Sequence, residues 1–358
     1  MKLERASPDT LSQRWSTTLL EKPGGEAMKI DEFRAQFSGS PYTEEQRAAC
    51  EKGVMLLESY LSDLREPVTL EAATAAHVPP FTRDLIARGL LVRNHLVGIY
   101  FYAGMIENYN LQVGVLELVD GFEIMGNLHR VIGEELGLDV QADIFAGVAL
   151  PVLGTTPLDW TRANAIIFPR LEATADAATV KKILRSGLRN LADANYLPIK
   201  ERYEASSDID AFLEDRGQRH LDNLIKQRDE GSPYFNQFID DSVIDFVRNT
   251  PEIGRGVRQG HTIIEIKIPH QSIEYLAATD RAAKQYHVCH CPLVKESMVH
   301  DDLTISPTFC EYCPSFNAKP WEVIFGQKLQ YEVLESALRG GVWCKFAIHL
   351  PAEAVPGA

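Results

Sequence analysis

The sequence predicts an α+β protein: a helical N-terminal part with a winged-helix-like start, then a C-terminal antiparallel sheet with flanking helices and a cysteine-rich site. Three observations predict it. Apolar residues recur at helical spacing through the first two thirds of the chain. Alternating strand patterns and a Gly-Gly turn appear in the last third. Five of the six cysteines fall between residues 289 and 344. A length of 358 residues is long for one core and favours more than one domain. The expected division is a mobile arm over 1–40, a helical, winged-helix-like domain over 41–140, and an α+β domain over 141–358 that carries the cysteine site at 286–351.

The elements follow in order. Residues 1–40 mix Ser, Pro, Gly and charges, without periodicity. Thr43 with Gln46 forms a capping-box signature. Behind it, Cys50, Val54, Leu57, Leu61 and Leu64 make one apolar helix stripe, on which Cys50 packs as a small hydrophobe. A short helix over 69–76, a turn at 77–80 and a helix over 81–87 come next. Two strands, 90–92 and 96–102, around Arg93-Asn-His complete the element order of a winged helix. Residues 117–138 read as a helix despite four glycines, and 144–158 as a buried strand and loop. Amphipathic helices are expected over 174–194, 208–227 and 235–248. In the segment His261-Thr-Ile-Ile-Glu-Ile-Lys-Ile-Pro, Ile264, Ile266 and Ile268 share one face of a strand, and Glu265 and Lys267 the other. A helix over 272–286 leads into the cysteines. A short helix over 320–325 and two strands, 329–338 and 342–350, around Arg339-Gly-Gly close the chain.

Composition narrows the function. Apolar residues are 45% and charged residues 24%, the mix of a globular domain. Fifty acidic against 36 basic residues give a net charge of −14, a surface that repels phosphate backbones and anionic lipid. Between Arg65 and Arg93, four arginines stand against Glu66, Glu71 and Asp84, so the third helix lacks the basic stripe of a DNA reader. No apolar run is long enough to cross a bilayer. The first twenty residues lack the apolar core of a secretory signal, which sets the expectation of a cytoplasmic protein with reduced thiols. Nucleotide-binding loops, zincin motifs and the serine-hydrolase elbow are absent.

The chemistry-bearing pattern is C-x-C-x18-C-x2-C-x30-C, formed by Cys289, Cys291, Cys310, Cys313 and Cys344, with His290 inside the first pair. A C-x2-C turn presents both thiolates to one ion. On an extended chain Cys289 and Cys291 share a face and His290 points opposite. Four thiolates suit Zn²⁺ or an iron–sulfur cluster. The expected metal set is Cys289, Cys291, Cys310 and Cys313, with His290 or Cys344 near the open side. Cys344 is also a candidate nucleophile, and Lys295, Glu296 and Glu335 are candidate acid–base groups. The expected partner is a small-molecule ligand or substrate, with no membrane and no nucleic acid; a homo-oligomer is left open.

Cys289-His-Cys-Pro292, Ile305-Ser-Pro-Thr-Phe-Cys310, Trp321-Glu322 with Gly326-Gln327, Tyr331-Glu-Val-Leu-Glu-Ser336 and Cys344-Lys-Phe-Ala-Ile348 resemble the Cys-rich C-terminal module of a poorly characterised prokaryotic family. The last two elements more distantly resemble 4-vinyl reductase-type small-molecule-binding domains and L-2-amino-thiazoline-4-carboxylic acid hydrolases, onto which Glu335, Cys344 and Phe346 map. The chain departs from the family pattern at Cys310/Cys313 (C-x2-C rather than C-x-C), at Lys328 and at Gly340-Gly341. The resemblance implies a metal-binding, zinc-class hydrolase or lyase acting on a small sulfur- or nitrogen-containing molecule. The alternatives are a ligand- or metal-responsive regulator with a winged-helix-like unit, and an iron–sulfur redox protein.

Overall fold

The computed structural model describes residues 29–37 and 42–354. Most of the expected arm, 1–28 and 38–40, lies outside the described residues, as does Pro41. Its remaining piece forms helix α1 (Ile30–Gln36), whose Phe33 is buried with Phe37 against the first core. Helix α2 (Glu44–Ser62) opens on the expected capping box: Gln46 N donates to Thr43 Oγ1 (3.2 Å) and Thr43 N to Gln46 Oε1 (2.8 Å). Its stripe is buried as read, with Cys50, Val54, Leu57 and Leu61 sealed from solvent. The segment expected as a second short helix supplies only a 3-10 turn, Ala75–His77, leading into α3 (Val78–Ala87), which starts on prolines.

The winged-helix expectation fails at the next element. Residues expected as a hairpin form one helix, α4 (Arg93–Met105), followed by α5 (Tyr109–Val119). A continuous apolar run does not distinguish a strand from a buried helix, and here tertiary packing decides. Helix α4 lies directly on α2, where two glycines let the backbones touch. A Cβ on Gly98 would sit 2.0 Å from the Cys50 carbonyl oxygen, and one on Gly53 2.3 Å from that of His95. Buried apolar residues from Phe33 to Leu118 form this first core.

A second and larger core begins at Ile124. The helix expected over 117–138 is broken at Asp120-Gly121, Gly121 having φ +74°. It becomes the end of α5 and then α6 (Glu123–Leu136), followed by α7 (Leu138–Phe145). No strand forms over 144–158; a loop there leads to α8 (Pro157–Thr174), capped by Thr156 and Asp159. Helices α9 (Ala177–Arg185), α10 (Leu197–Ala205), α11 (Ile209–Glu230) and α12 (Asp241–Arg248) follow. Helix α8 grips the first cysteine loop, with Thr161 Oγ1 donating to Pro292 O (3.0 Å) and Asn164 Nδ2 to Leu293 O (3.1 Å).

The expected antiparallel sheet is present in the C-terminal part. Strands β1 (Val257–Gln259), β2 (Thr262–Ile266), β3 (Gln330–Glu335) and β4 (Lys345–His349) are ordered β1-β2-β4-β3. Ile263 faces Ile348 and Glu265 faces Phe346 across the β2–β4 ladder. Helices α13 (Ser272–Ala277) and α14 (Arg281–Val288) replace the single helix expected over 272–286. Helix α15 (Pro314–Phe325) begins six residues earlier than expected, with Pro314 in its first turn and Pro320 inside.

The face of β2 that carries Glu265 is buried despite its charge. Ile263 is sealed and Glu265 is 2% exposed. The Glu265 carboxylate accepts from Arg216 Nη1 (2.5 Å), Trp321 Nε1 (3.0 Å) and Asn317 Nδ2 (2.8 Å). Burial alone would raise its pKa, but the Arg216 charge and these hydrogen bonds hold it below the ordinary carboxylate value. A depressed folded pKa adds stability that is fully present above the unfolded value, about 4.3, and is lost as the pH falls through the folded value. Urea unfolding followed from pH 7 downward is therefore expected to show a stability plateau that declines below about pH 4.3, with a shallower decline in Glu265→Gln.

Candidate functional site

Three chain segments bring the five clustered cysteines together. Cys289 and Cys291 lie on the extended segment that leaves α14. Cys310 sits in the 3-10 turn Pro307–Tyr312, and Cys313 joins that turn to α15. Cys344 immediately precedes β4, its carbonyl accepting from Lys267 N (3.0 Å) as an extension of the β2–β4 ladder. All five line one small cavity with about 20 Å³ of room for the centre of a water-sized sphere. That volume accommodates about one water or one ion.

The turn that carries Cys310 is pinned from outside. Glu311, between the two cysteines, accepts from Arg185 Nη2 (2.7 Å) and Arg339 Nη2 (2.8 Å), tying it to α9 and to the β3–β4 connection. Inside the cavity wall, Tyr312 Oη donates to Cys291 Sγ (3.0 Å). Lys267 Nζ donates to Cys313 Sγ (3.2 Å). Backbone amides are turned to four of the sulfurs: Cys291 to Cys289, Leu293 to Cys291, Leu338 to Cys310 and Ala337 to Cys344. Each favours the thiolate form. Ser336 also lines the cavity; it is buried, and its hydroxyl lies by the Cys310 sulfur, where it favours the thiolate.

Burial dominates the acidity of the thiols. It pushes Cys310 up to about 11 and Cys291 up to about 12. Burial and the neighbouring thiols also raise Cys289 and Cys344. Without a cation in the cavity these four are neutral at physiological pH, the condition of inert buried cysteines rather than activated nucleophiles. A bound metal ion reverses this, since a coordinating thiol loses its proton.

Of the other expected site residues, Glu335, Lys295 and Glu296 fall outside this wall, whereas His290 is part of it. Its Nε2 lies 2.6 Å from the Ile268 carbonyl oxygen, and burial, with Lys267 nearby, lowers its pKa to about 3. The ring is thus spent on the backbone. Glu335 Oε1 accepts from the amides of Val342 (2.7 Å) and Trp343 (3.1 Å), closing the β3–β4 connection over Gly341. Lys295 is buried, donates to Gln271 Oε1 (3.0 Å) and lies over the Tyr286 ring. Burial lowers its pKa against the pull of Glu117 and Cys289. Glu296 accepts from Tyr286 Oη (3.2 Å) in the same network. Sequence reasoning missed Lys267, Tyr312 and Ser336. Tyr312 sat in view between Cys310 and Cys313, whereas the alternation around β2 only set Lys267 on the face opposite the isoleucines and gave no sign of a thiol partner.

Among the described residues, no three His, Cys, Asp or Glu side chains stand in an arrangement that already meets a metal ion's requirements. The donor types fit a soft ion, and the thiols would have to close on it. No helix among the described residues is long and apolar enough to cross a membrane. No family model, curated protein or solved structure matches the chain.

Proposed function

We propose that the five-thiol cavity binds one soft divalent ion, zinc by preference, and that the protein is a metal-dependent hydrolase or lyase acting on a small molecule. The observation that carries this reading is the delivery of five cysteines, from three separate segments, to one ion-sized cavity. Soft sulfur donors select zinc or iron–sulfur clusters, and room for about one water favours a single ion over a multi-iron cluster. Cys289, Cys291, Cys310 and Cys344, each with a backbone amide turned to its sulfur, make the preferred ligand set. Such outer hydrogen bonds orient ligands and tune metal sites.

Four ligands complete a tetrahedral zinc site, which leaves Cys313 as a fifth thiol. Its sulfur receives the Lys267 ammonium, and it is less buried than Cys289, Cys291 and Cys344. Release of one of the four ligands, without replacement by Cys313, would leave a position free for a small molecule. Zinc, when bound, supplies Lewis acidity and keeps its ligands as thiolates at neutral pH. Tyr312 holds the Cys291 sulfur in place, and Lys267 sets a positive charge at the Cys313 side.

The test is metal content of the full chain, produced without added metal, beside Cys310→Ser. The expected result is about one zinc per chain, with retention in Cys310→Ser reduced at least about tenfold. A metal-free protein, or equal retention in the variant, contradicts the reading. Iron with acid-labile sulfide would assign the cavity to the cluster alternative.

A further inference from the structure

A second, larger pocket adjoins the thiol cavity. It is an open cleft of about 340 Å³ between α11 and β2, with the Gly254 loop and α15 at its sides. Its charge is opposite to that of the chain: Arg216, Arg219 and Lys267 line it with a single carboxylate, Glu265, in a protein of net charge −14. Glu265 is already committed to Arg216, Trp321 and Asn317. Arg219 donates through Nε to both Asp215 carboxylate oxygens (3.0 and 2.8 Å), and among the described ion pairs Lys267 has no carboxylate partner. A pocket lined by one sign of charge concentrates ligands of the other.

Two polar atoms in its wall are buried without a partner, His220 Nε2 and Asn317 Oδ1. Because Asn317 Nδ2 faces the Glu265 carboxylate, Oδ1 is the atom left for the pocket. His220 is held close by Gly254, where a Cβ would fall 2.0 Å from the imidazole ring. Buried polar atoms are normally satisfied, so two orphans in one wall mark a place where a ligand completes the bonding.

We infer that this pocket binds a small oxyanion, the carboxylate or phosphoryl group of a small molecule, through Arg219 and Lys267, with His220 and Asn317 engaging the remainder of the ligand. Lys267 belongs to both sites, since it lines the pocket and its Nζ touches Cys313 Sγ. A bound anion is therefore anchored beside the Cys313 edge of the thiol cavity. That this molecule is also what the thiol centre acts on rests on the function proposed above; the binding itself does not.

The experiment is calorimetric titration of the full chain with inorganic phosphate and, separately, acetate at fixed ionic strength. Arg219→Met and Lys267→Met test the pocket, and Arg130→Met, an exposed arginine on α6 paired with Glu134, is the control. The expected result is saturable binding of at least one of the two anions at one site per chain. Each pocket variant weakens it about tenfold, the loss typical of one charged hydrogen bond, while Arg130→Met matches the unchanged protein. Phosphate alone binding assigns a phosphoryl ligand, and acetate alone a carboxylate. Absence of saturable binding, or equal affinity in Arg219→Met, overturns the inference. Repeating the titration after chelation separates the two sites: anion binding that survives in a protein with no metal to lose fails the zinc reading alone. Metal-loaded protein that binds neither anion fails the pocket alone.

Discussion

Glu265→Ala is expected to destabilise the protein by about 3 kcal/mol, toward the lower end of the effect of breaking a buried ion pair. The carboxylate is 2% exposed and satisfies three donors from two helices, Arg216 on α11 and both Asn317 and Trp321 on α15. Truncation leaves the Trp321 indole N–H without its acceptor and the Arg216 guanidinium with the longer contact to Arg255 O (3.3 Å) in place of its counter-charge, and an unpaired buried donor costs more than its bond contributes. The Arg216 side chain is 24% exposed, so water recovers part of its charge, which sets the lower end of the range. Urea denaturation at pH 7 measures the loss. Adding Arg216→Met to Glu265→Ala should recover part of it, because the stranded charge is then gone. A loss below about 1 kcal/mol would mean that the pair behaves as a surface ion pair.

Gly98→Ala is the second large effect, about 1–3 kcal/mol of destabilisation, despite alanine's better helix propensity. The new methyl would lie 2.0 Å from the Cys50 carbonyl oxygen and 2.5 Å from its Cα, both backbone atoms that no side-chain rotation can clear. Helices α2 and α4 must then separate, opening the sealed contacts of Cys50, Val54 and Leu57. Gly126→Ala on α6 is the internal comparison, since its Cβ would meet nothing within 4 Å. There only propensity acts, and the change should stabilise by about 0.5–1 kcal/mol. Parallel thermal melts of the two variants decide the matter; equal and small shifts would contradict the close crossing.

The legible parts of this chain were those encoded locally. Thr43 and Gln46 announced a cap, the Cys50 stripe announced a buried face, and Arg339-Gly-Gly announced the β3–β4 pair. What was not legible depended on partners distant in sequence. Residues 96–102 read as a strand because β-branched and aromatic residues dominate them, yet the glycine contact with α2 makes them helical. The alternation of β2 separated Glu265 from the isoleucines but did not show that α11 and α15 supply the partners that let it be buried. In the site, spacing alone grouped the five cysteines, with His290 among them in the cavity wall. It did not reveal that Glu335 closes a loop, or that Lys267 from a strand 46 residues upstream meets Cys313.

The most direct test of the metal centre is X-ray absorption at the edge of whatever metal the purified full chain carries. The account expects zinc with a shell of about four sulfur atoms at about 2.3 Å, reduced by one sulfur in Cys344→Ser. A shell of nitrogen or oxygen at about 2.0–2.1 Å, or protein that carries no metal at all, would contradict it.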